Sequence, residues 1–501
     1  MSELKKVKIR KLPTGVLGLD EILGGGLPEY SFNIIGGPPG GGKTTLAHQL
    51  MFANATPERP ALFFTVLGEP AIKMLRYQQQ YSFFDLSKVN SSIRFINLSK
   101  VVQDEGLSAV LDLIIKEVEA ANPSIVVVDS FRSMVSKNKN PDSAMELQGF
   151  IQRLALQLTS WQATTFLIGE YSELEVLDNP IFTVADGLFW LSQQIERNSI
   201  VRKLQIVKIR GQASVPGLHT VRISDDGMQA FPRTFGLAEP HHKVQRGLRL
   251  STGIVALDAL MGGGINVGDS LLISGPTGAG KSLFGTQFIA AGLKLGEPGI
   301  IAIFEERPEA YTYRAATLGM DLASPQKEGK LEIIYLRPLD LSVDEAVHEI
   351  AKAVKKIGAK RVVIDSLAGF ELALAPGFRT DFRESLYRMI TTLTRLGVTV
   401  VSTVEIQESF TSYDLSTYAI SFLSDDIIRL RYESINGQLR KTLAIIKMRG
   451  SEHSSYLHEY VITSQGIKLG EKLEGYRGLT TGIPSPWGPN SFGSPASTKK
   501  E

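Results

Sequence analysis

The chain has 501 residues and no cysteine. That excludes disulfides, thiolate nucleophiles and zinc ribbons of the C-x-x-C type. Nor does it carry an excess of either charge: 54 Lys and Arg stand against 52 Asp and Glu, for a net charge of +2. A surface that coats nucleic acid through bulk basic charge is therefore not expected, although a local basic patch fits inside a balanced total. No run approaches the roughly 18 consecutive apolar residues that span a membrane. The opening "MSELKKVKIRK" is polar and basic with no apolar run behind it, which is not a secretory pattern. A cytoplasmic location is the simplest expectation. Hydrophobic residues make up 43% and charged residues 21%, ordinary for a globular chain long enough for one to four domains.

What dominates the sequence is an internal duplication. "LPTGVLGLDEILGGGLP" from Leu12 matches "LSTGIVALDALMGGGIN" from Leu250. Thr14 pairs with Thr252, Asp20 with Asp258 and Lys43 with Lys281, and the register persists to Lys208 and Lys447. The repeat is a whole domain, too long for a solenoid unit. We expect a polar N-terminal segment over residues 1–11, a first domain over 12–238, a linker over 239–248 and a second domain over 249–472. Residues 473–501 are rich in Gly, Pro and Ser, and they read as a flexible tail.

Within each copy, short apolar runs alternate with amphipathic stretches. "SFNII", "ALFFTV", "SIVVVD" and "TTFLIG" correspond to "SLLIS", "GIIAIFE", "RVVID" and "VTVVST". "LSAVLDLIIKEVEAA" and "VDEAVHEIAKAVKKIG" place apolar residues at helical spacing. Such alternation predicts an α/β fold with a mainly parallel sheet flanked by helices. The end of each copy changes character: "KLQIVKIRG…HTVRISDDGMQAFP" and "KTLAIIKMRG…LHEYVITSQGIKL" read as antiparallel strands joined by turns.

Each copy also carries G-x-x-x-x-G-K-[ST] between a predicted strand and a predicted helix, the context a phosphate-binding loop needs. In the first these are Gly37, Gly40, Gly41, Gly42, Lys43, Thr44 and Thr45. In the second they are Gly275, Thr277, Gly278, Ala279, Gly280, Lys281, Ser282 and Leu283. Glycines let backbone N–H groups face phosphate oxygens, and the lysine reaches the terminal phosphates. The expected ligand is ATP with Mg2+. The hydroxyls of Thr44 and Ser282 are candidate Mg2+ ligands, together with Asp129 and Asp365, which close the apolar runs "VVVD" and "VVID".

Beyond the loops the copies diverge. The second reads "IFEERP", with Glu305 and Glu306 as candidate catalytic residues. The plain alternative is a solvated acidic pair before Pro308. At the same register the first copy reads "TVLGEP": Leu67 and Gly68 cannot take a proton, and Glu69 lies two residues further on. On a continuing strand that displaces its carboxylate by about 6.6 Å. "KIRG" and "KMRG" place Lys208 with Arg210, and Lys447 with Arg449, on one face of a strand. Spacing alone favours an exposed charged strand before a turn; a phosphate-stabilising finger from a neighbouring subunit is the sharper reading.

Taken together, the duplicated "TG…LD…GGG" opening, the P-loops, "FEE", "IDS" and "KMRGSEH" resemble the KaiC family of duplicated RecA-like ATPases, over about Leu12 to Lys472. The resemblance implies a homo-hexameric double ring with ATP at subunit interfaces, a trans-acting role for Lys208, Arg210, Lys447 and Arg449, and Glu305 as general base with Glu306 beside it. It also implies autokinase activity on an adjacent Ser-Thr pair before a segment like "SDDIIRLRY". Here that pair is Ser421 and Phe422, so one acceptor is kept and one lost, with Ser416 and Thr417 in reserve. The resulting expectation is a nucleotide-state switch: the first half binds ATP mainly for assembly and the second turns it over. A regulatory partner would dock on the second-half face or the tail. Two other readings stand beside it, a DNA-dependent motor of the same core and a non-catalytic nucleotide-dependent scaffold.

Overall fold

The computed structural model describes residues 9–66, 71–130, 142–172, 181–196, 199–233, 247–336, 342–373, 382–406, 424–435, 437–474, 476–477 and 485–486. The chain divides into two compact units, Met1–Thr234 and Phe235–Glu501. The joint between the expected domains falls largely outside the described residues.

Each unit is built on a nine-stranded sheet. In the first unit the strands are β1 Phe32–Gly37, β2 Ala61–Thr65, β3 Ile93–Asn97, β4 Ile125–Asp129, β5 Thr164–Glu170, β6 Gly187–Glu196, β7 Ser199–Ile209, β8 Leu218–Ser224 and β9 Gly227–Phe231. Their order is β9-β8-β7-β6-β1-β5-β4-β2-β3. The six from β3 to β6 pair in parallel, and β7, β8 and β9 extend the sheet antiparallel. The second unit repeats this with β10 Ser270–Gly275, β11 Gly299–Ile303, β12 Leu331–Tyr335, β13 Arg361–Asp365, β14 Thr399–Glu405, β15 Asp426–Ile435, β16 Gln438–Lys447, β17 His458–Thr463 and β18 Gly466–Lys472. The order β12-β11-β13-β14-β10-β15-β16-β17-β18 is the same topology. This is the α/β architecture with a mainly parallel sheet and an antiparallel extension that the apolar runs predict, and it agrees with the RecA-like halves that the resemblance implies.

The central strands are buried along their whole length: every residue of β1, β2, β10 and β11 is covered. Two apolar layers flank each sheet, as parallel sheets require. In the first unit, α1 Lys43–Asn54 packs on one face, while α2 Gly106–Ala121 and α3 Asp142–Ser160 contribute to the other. In the second, α4 Lys281–Lys294 and α5 Pro308–Thr317 take one face, and α6 Val343–Ile357 with α7 Phe382–Arg395 take the other. In the stretch expected as a tail, Tyr476–Arg477 pairs antiparallel with Ser485–Pro486.

The connection β1–α1–β2 skips two strands, so β5 sits beside β1 and a crevice opens at the carboxyl ends of the parallel strands. The two phosphate loops lie at this edge, one in each unit.

Candidate functional site

Each phosphate loop leaves the centre of its sheet and turns directly into a helix. Gly37, Gly40 and Gly42 have φ of 143°, 75° and 94°, in the left-handed region that disfavours side chains. A Cβ at Gly37 would come within 1.9 Å of the Leu191 carbonyl oxygen. In the second unit Gly278 and Gly280 take the corresponding φ of 77° and 94°. Gly41 and Ala279 lack positive φ, which is why alanine fits at that position of the second loop. Thr45 and Leu283 continue the first turns of α1 and α4 behind Thr44 and Ser282.

The lysines curl back over their own loops. Lys43 Nζ donates to the carbonyls of Gly37 and Pro38 at 3.0 and 2.8 Å, and Lys281 Nζ to that of Pro276 at 2.9 Å. Thr277 in the same loop accepts from the Tyr432 hydroxyl at 3.4 Å. Burial lowers both lysine pKa values, and nearby carboxylates oppose the shift, Glu170 and Asp129 in one unit and Glu405, Asp365 and Glu305 in the other. Lys43 and Lys281 each point a cation to where phosphate charge would lie.

Asp129 and Asp365 end β4 and β13, beside the loop. The Thr44 hydroxyl donates to Asp129 Oδ2 at 2.8 Å, which brings these two candidate Mg2+ ligands into contact in the first unit. Burial raises the Asp129 pKa, with Thr44 and Lys43 opposing. Asp365 accepts instead from Thr403 on β14 at 2.5 Å. One hydroxyl and one carboxylate per site suit Mg2+, which is held by few protein oxygens plus phosphate and water. Among the described residues no cluster of three or more acidic or histidine side chains offers a self-sufficient metal cage.

The glutamate pair of the second unit lies just past β11, which ends at Ile303. The two side chains have different company. Glu305 is exposed and accepts from the Ser366 hydroxyl at 2.8 Å, next to Asp365. Glu306 is half-buried and bound to Arg314 of α5 at 2.5 Å. Burial raises the Glu306 pKa, and Arg314 pulls it back. Leu67, Gly68 and Glu69 lie outside the described residues, as do Ser416, Thr417, Ser421 and Phe422.

Lys208, Arg210, Lys447 and Arg449 sit at the opposite end of the sheet from their own loops. Lys208 pairs with Leu188, which pairs with Ile34, three residues before Gly37. At about 3.3 Å per residue that is roughly 10 Å short of the loop. Lys447 occupies the same level through Ile427 and Leu272. Lys208 donates to Thr183 O at 3.1 Å and Lys447 to Ser424 O at 2.7 Å. Arg210 and Arg449 pair with Asp186 and Asp425, each at 3.1 Å. The arginine side chains are 59% and 77% exposed, so their guanidinium groups remain open to a neighbouring molecule.

Three features are absent from the sequence reading. Glu170 and Glu405 close the strands paired with the phosphate-loop strands, opposite Gly37 and Gly275. Their matched position in "FLIGE" and "VVSTVE" is the signal that would have found them. Ser366 orients Glu305. The third feature is a cavity of about 330 Å3 running from the second loop between α4 and α5, lined by Leu283, Tyr311, Arg314, Leu318, Met320 and Ile462 among others. Its residues are scattered in sequence, so no motif announces it. The hollow is contiguous with the phosphate loop and lined mainly by apolar side chains, as small-molecule sites are.

The family described as ATPase, KaiC matches the chain twice, over residues 12–234 and 250–474. The chain is similar to the circadian clock oscillator protein KaiC of Thermostichus vulcanus, at 26% identity over 97% of this chain and 93% of that protein. Similarity to the Picosynechococcus protein of the same name is 27%, over 95% of this chain and 93% of the relative. The circadian clock oscillator protein KaiC 1 of Synechocystis matches at 26%, over 95% and 92%.

Proposed function

The chain belongs to the KaiC family of ATPases, and from that premise we propose that its two halves divide the work: the first holds ATP as an assembly ligand and the second hydrolyses it. The observation that carries this reading is the contact of Glu305 with Ser366 beside Asp365, set against Leu67 and Gly68 at the same register of the first half.

In the second half the loop N–H groups and Lys281 hold the triphosphate. Glu305, with Oε1 engaged by Ser366, has a second carboxylate oxygen to orient and deprotonate the attacking water. Glu306 is occupied by Arg314 and does not serve as the base. Thr44 with Asp129, and Ser282 with Asp365, would hold Mg2+, which would neutralise phosphate charge. Because Lys447 and Arg449 lie at the far end of their own sheet, the phosphate they stabilise belongs to a neighbouring copy. A closed ring, here a homo-hexamer, satisfies that geometry for every subunit. Lys208 and Arg210 act likewise at the first-half interface. A ligand bound only by the assembled state stabilises the ring by mass action.

Autophosphorylation on Ser421 extends this reading, because the same γ-phosphate is then passed to a hydroxyl in place of water. Intact-mass and peptide mass spectrometry after incubation with Mg-ATP is expected to find phosphate on Ser421; its absence leaves an ATPase without autokinase activity. The division of labour is read from two loop variants. Lys43→Ala is expected to disperse the ring in size-exclusion light scattering. Lys281→Ala is expected to keep the ring and abolish phosphate release. The reverse pattern would overturn the assignment.

A further inference from the structure

Arg314 stands between two parts of the second-half site. It lines the cavity beside the phosphate loop, and its guanidinium holds Glu306 at 2.5 Å. We propose that Arg314 is a positioning residue that couples occupancy of this cavity by a purine base to the setting of the catalytic glutamate segment. The proposal rests on the reading that the second half turns ATP over.

The mechanical basis is a short chain of contacts. The Arg314 guanidinium lies 5.1 Å from the centroid of the Tyr311 ring. Tyr311 is itself fixed: it is buried, and its hydroxyl exchanges a hydrogen bond of 2.7 Å with Thr286 of the phosphate-loop helix α4. Arg314 is therefore a long side chain backed by an immobile ring on one side and an apolar hollow on the other. A purine entering that hollow meets a planar cation, and such contacts are favourable. Ordering the guanidinium removes rotamer freedom that an unrestrained arginine keeps. Its charge then holds Glu306 in one place. Glu305 is the next residue, on a segment that has left the strand at Ile303, so the peptide between the two glutamates transmits the restraint to the base.

At the matching register of the first half Gly68 replaces Glu306, Lys73 replaces Tyr311 and His48 replaces Thr286, although Arg76 stands where Arg314 does. The arginine is present in both copies, but only the second copy has a glutamate at the position matching Glu306. A purely structural ion pair would not require such a match with the chemistry.

Hydrolysis then depends on the base as well as on the triphosphate. The test measures the Lys281-dependent phosphate release of the full chain with ATP, CTP and inorganic triphosphate. It compares the natural protein with Arg314→Met, Arg314→Lys and Glu306→Gln. Arg314→Met is expected to lower kcat for ATP about tenfold with little change in KM, and to lower the rate with inorganic triphosphate by clearly less. The preference for ATP over CTP in kcat collapses with it. Arg314→Lys recovers part of the rate, because a cation still reaches Glu306. Combining Arg314→Met with Glu306→Gln is no worse than either alone. A raised KM with kcat intact would make Arg314 a base-binding residue only, and equal losses with ATP and inorganic triphosphate would make it a structural support. Either result overturns the coupling. If Lys281→Ala leaves phosphate release unchanged, the premise of second-half turnover fails, and that outcome is distinct from the other two.

Discussion

Two buried titratable residues report how far the copies have diverged. Asp426 is fully buried; Oδ1 accepts from the Arg449 backbone N–H at 3.2 Å and Oδ2 has no hydrogen-bond partner. Burial, with Asp269 and Asp425 nearby, pushes its pKa up to about 7, against the pull of Arg449 and Arg249. In the first half Gly187 occupies that register, and the neutral amide of Asn33 fills the space. The first half has its own buried group in His48, enclosed by Phe63 and Phe95, whose pKa burial lowers to about 4. Gln78 beside it only partly offsets burial. The two groups have opposite linkage. Folded Asp426 keeps a proton that the unfolded chain releases above about pH 4, so its contribution declines as pH rises through 7. Folded His48 refuses a proton that the unfolded chain takes up below about pH 6.5, so its contribution declines as pH falls toward 4. Denaturant titrations between pH 4.5 and 8 are expected to show the second half weakening with rising pH and the first with falling pH. Asp426→Asn and His48→Phe should each flatten the slope of their own unit alone.

Among the elements, α6 shows how local sequence dictates structure. The Ser342 hydroxyl accepts from the Glu345 N–H at 3.2 Å, while the Glu345 carboxylate accepts from the Ser342 N–H at 2.9 Å. Gly358 ends the helix at φ 64°. Ser342→Ala should cost the second unit about 1 kcal/mol in urea melts, with no change in phosphate release. Such elements are legible because periodicity and caps are local. So were the strands that carry the loops, since strands buried on both faces read as unbroken apolar runs. The edge strands β3 and β12 were harder to see: "IRFIN" and "LEIIY" are only partly covered, and their pattern is correspondingly mixed. The site was half legible. Loop, lysine and terminal aspartate follow one another closely enough to form motifs, and the structure places them at one edge of the sheet. The partners that differentiate Glu305 from Glu306 come from β13–Ser366 and α5, and only the fold brings them together.

At the scale of the whole molecule, the phosphate loop and the Lys–Arg pair of each unit lie at different levels of the sheet, and the proposed function has them act on different nucleotides. In the proposed assembly copies meet head to tail, and heterologous contacts of that kind form a ring where the rotation between copies closes. Mixing two inactive variants tests this. Lys281→Ala removes the loop cation and Arg449→Ala the reaching cation, each from a different side of an interface. Mixed and allowed to exchange subunits, they are expected to regain phosphate release at about a quarter of the interfaces, where an intact loop faces an intact arginine. No recovery would mean that both groups serve one subunit's own nucleotide.

In the proposed division of labour the first copy holds ATP and the second hydrolyses it. The most direct measurement is steady-state phosphate release by full-length Glu305→Gln, which keeps the shape and hydrogen-bonding capacity of the side chain and removes its basicity. The expected result is a loss of at least about 100-fold in kcat, with ATP binding and ring assembly retained. Turnover close to that of the unaltered protein would contradict it and return catalysis to the first half.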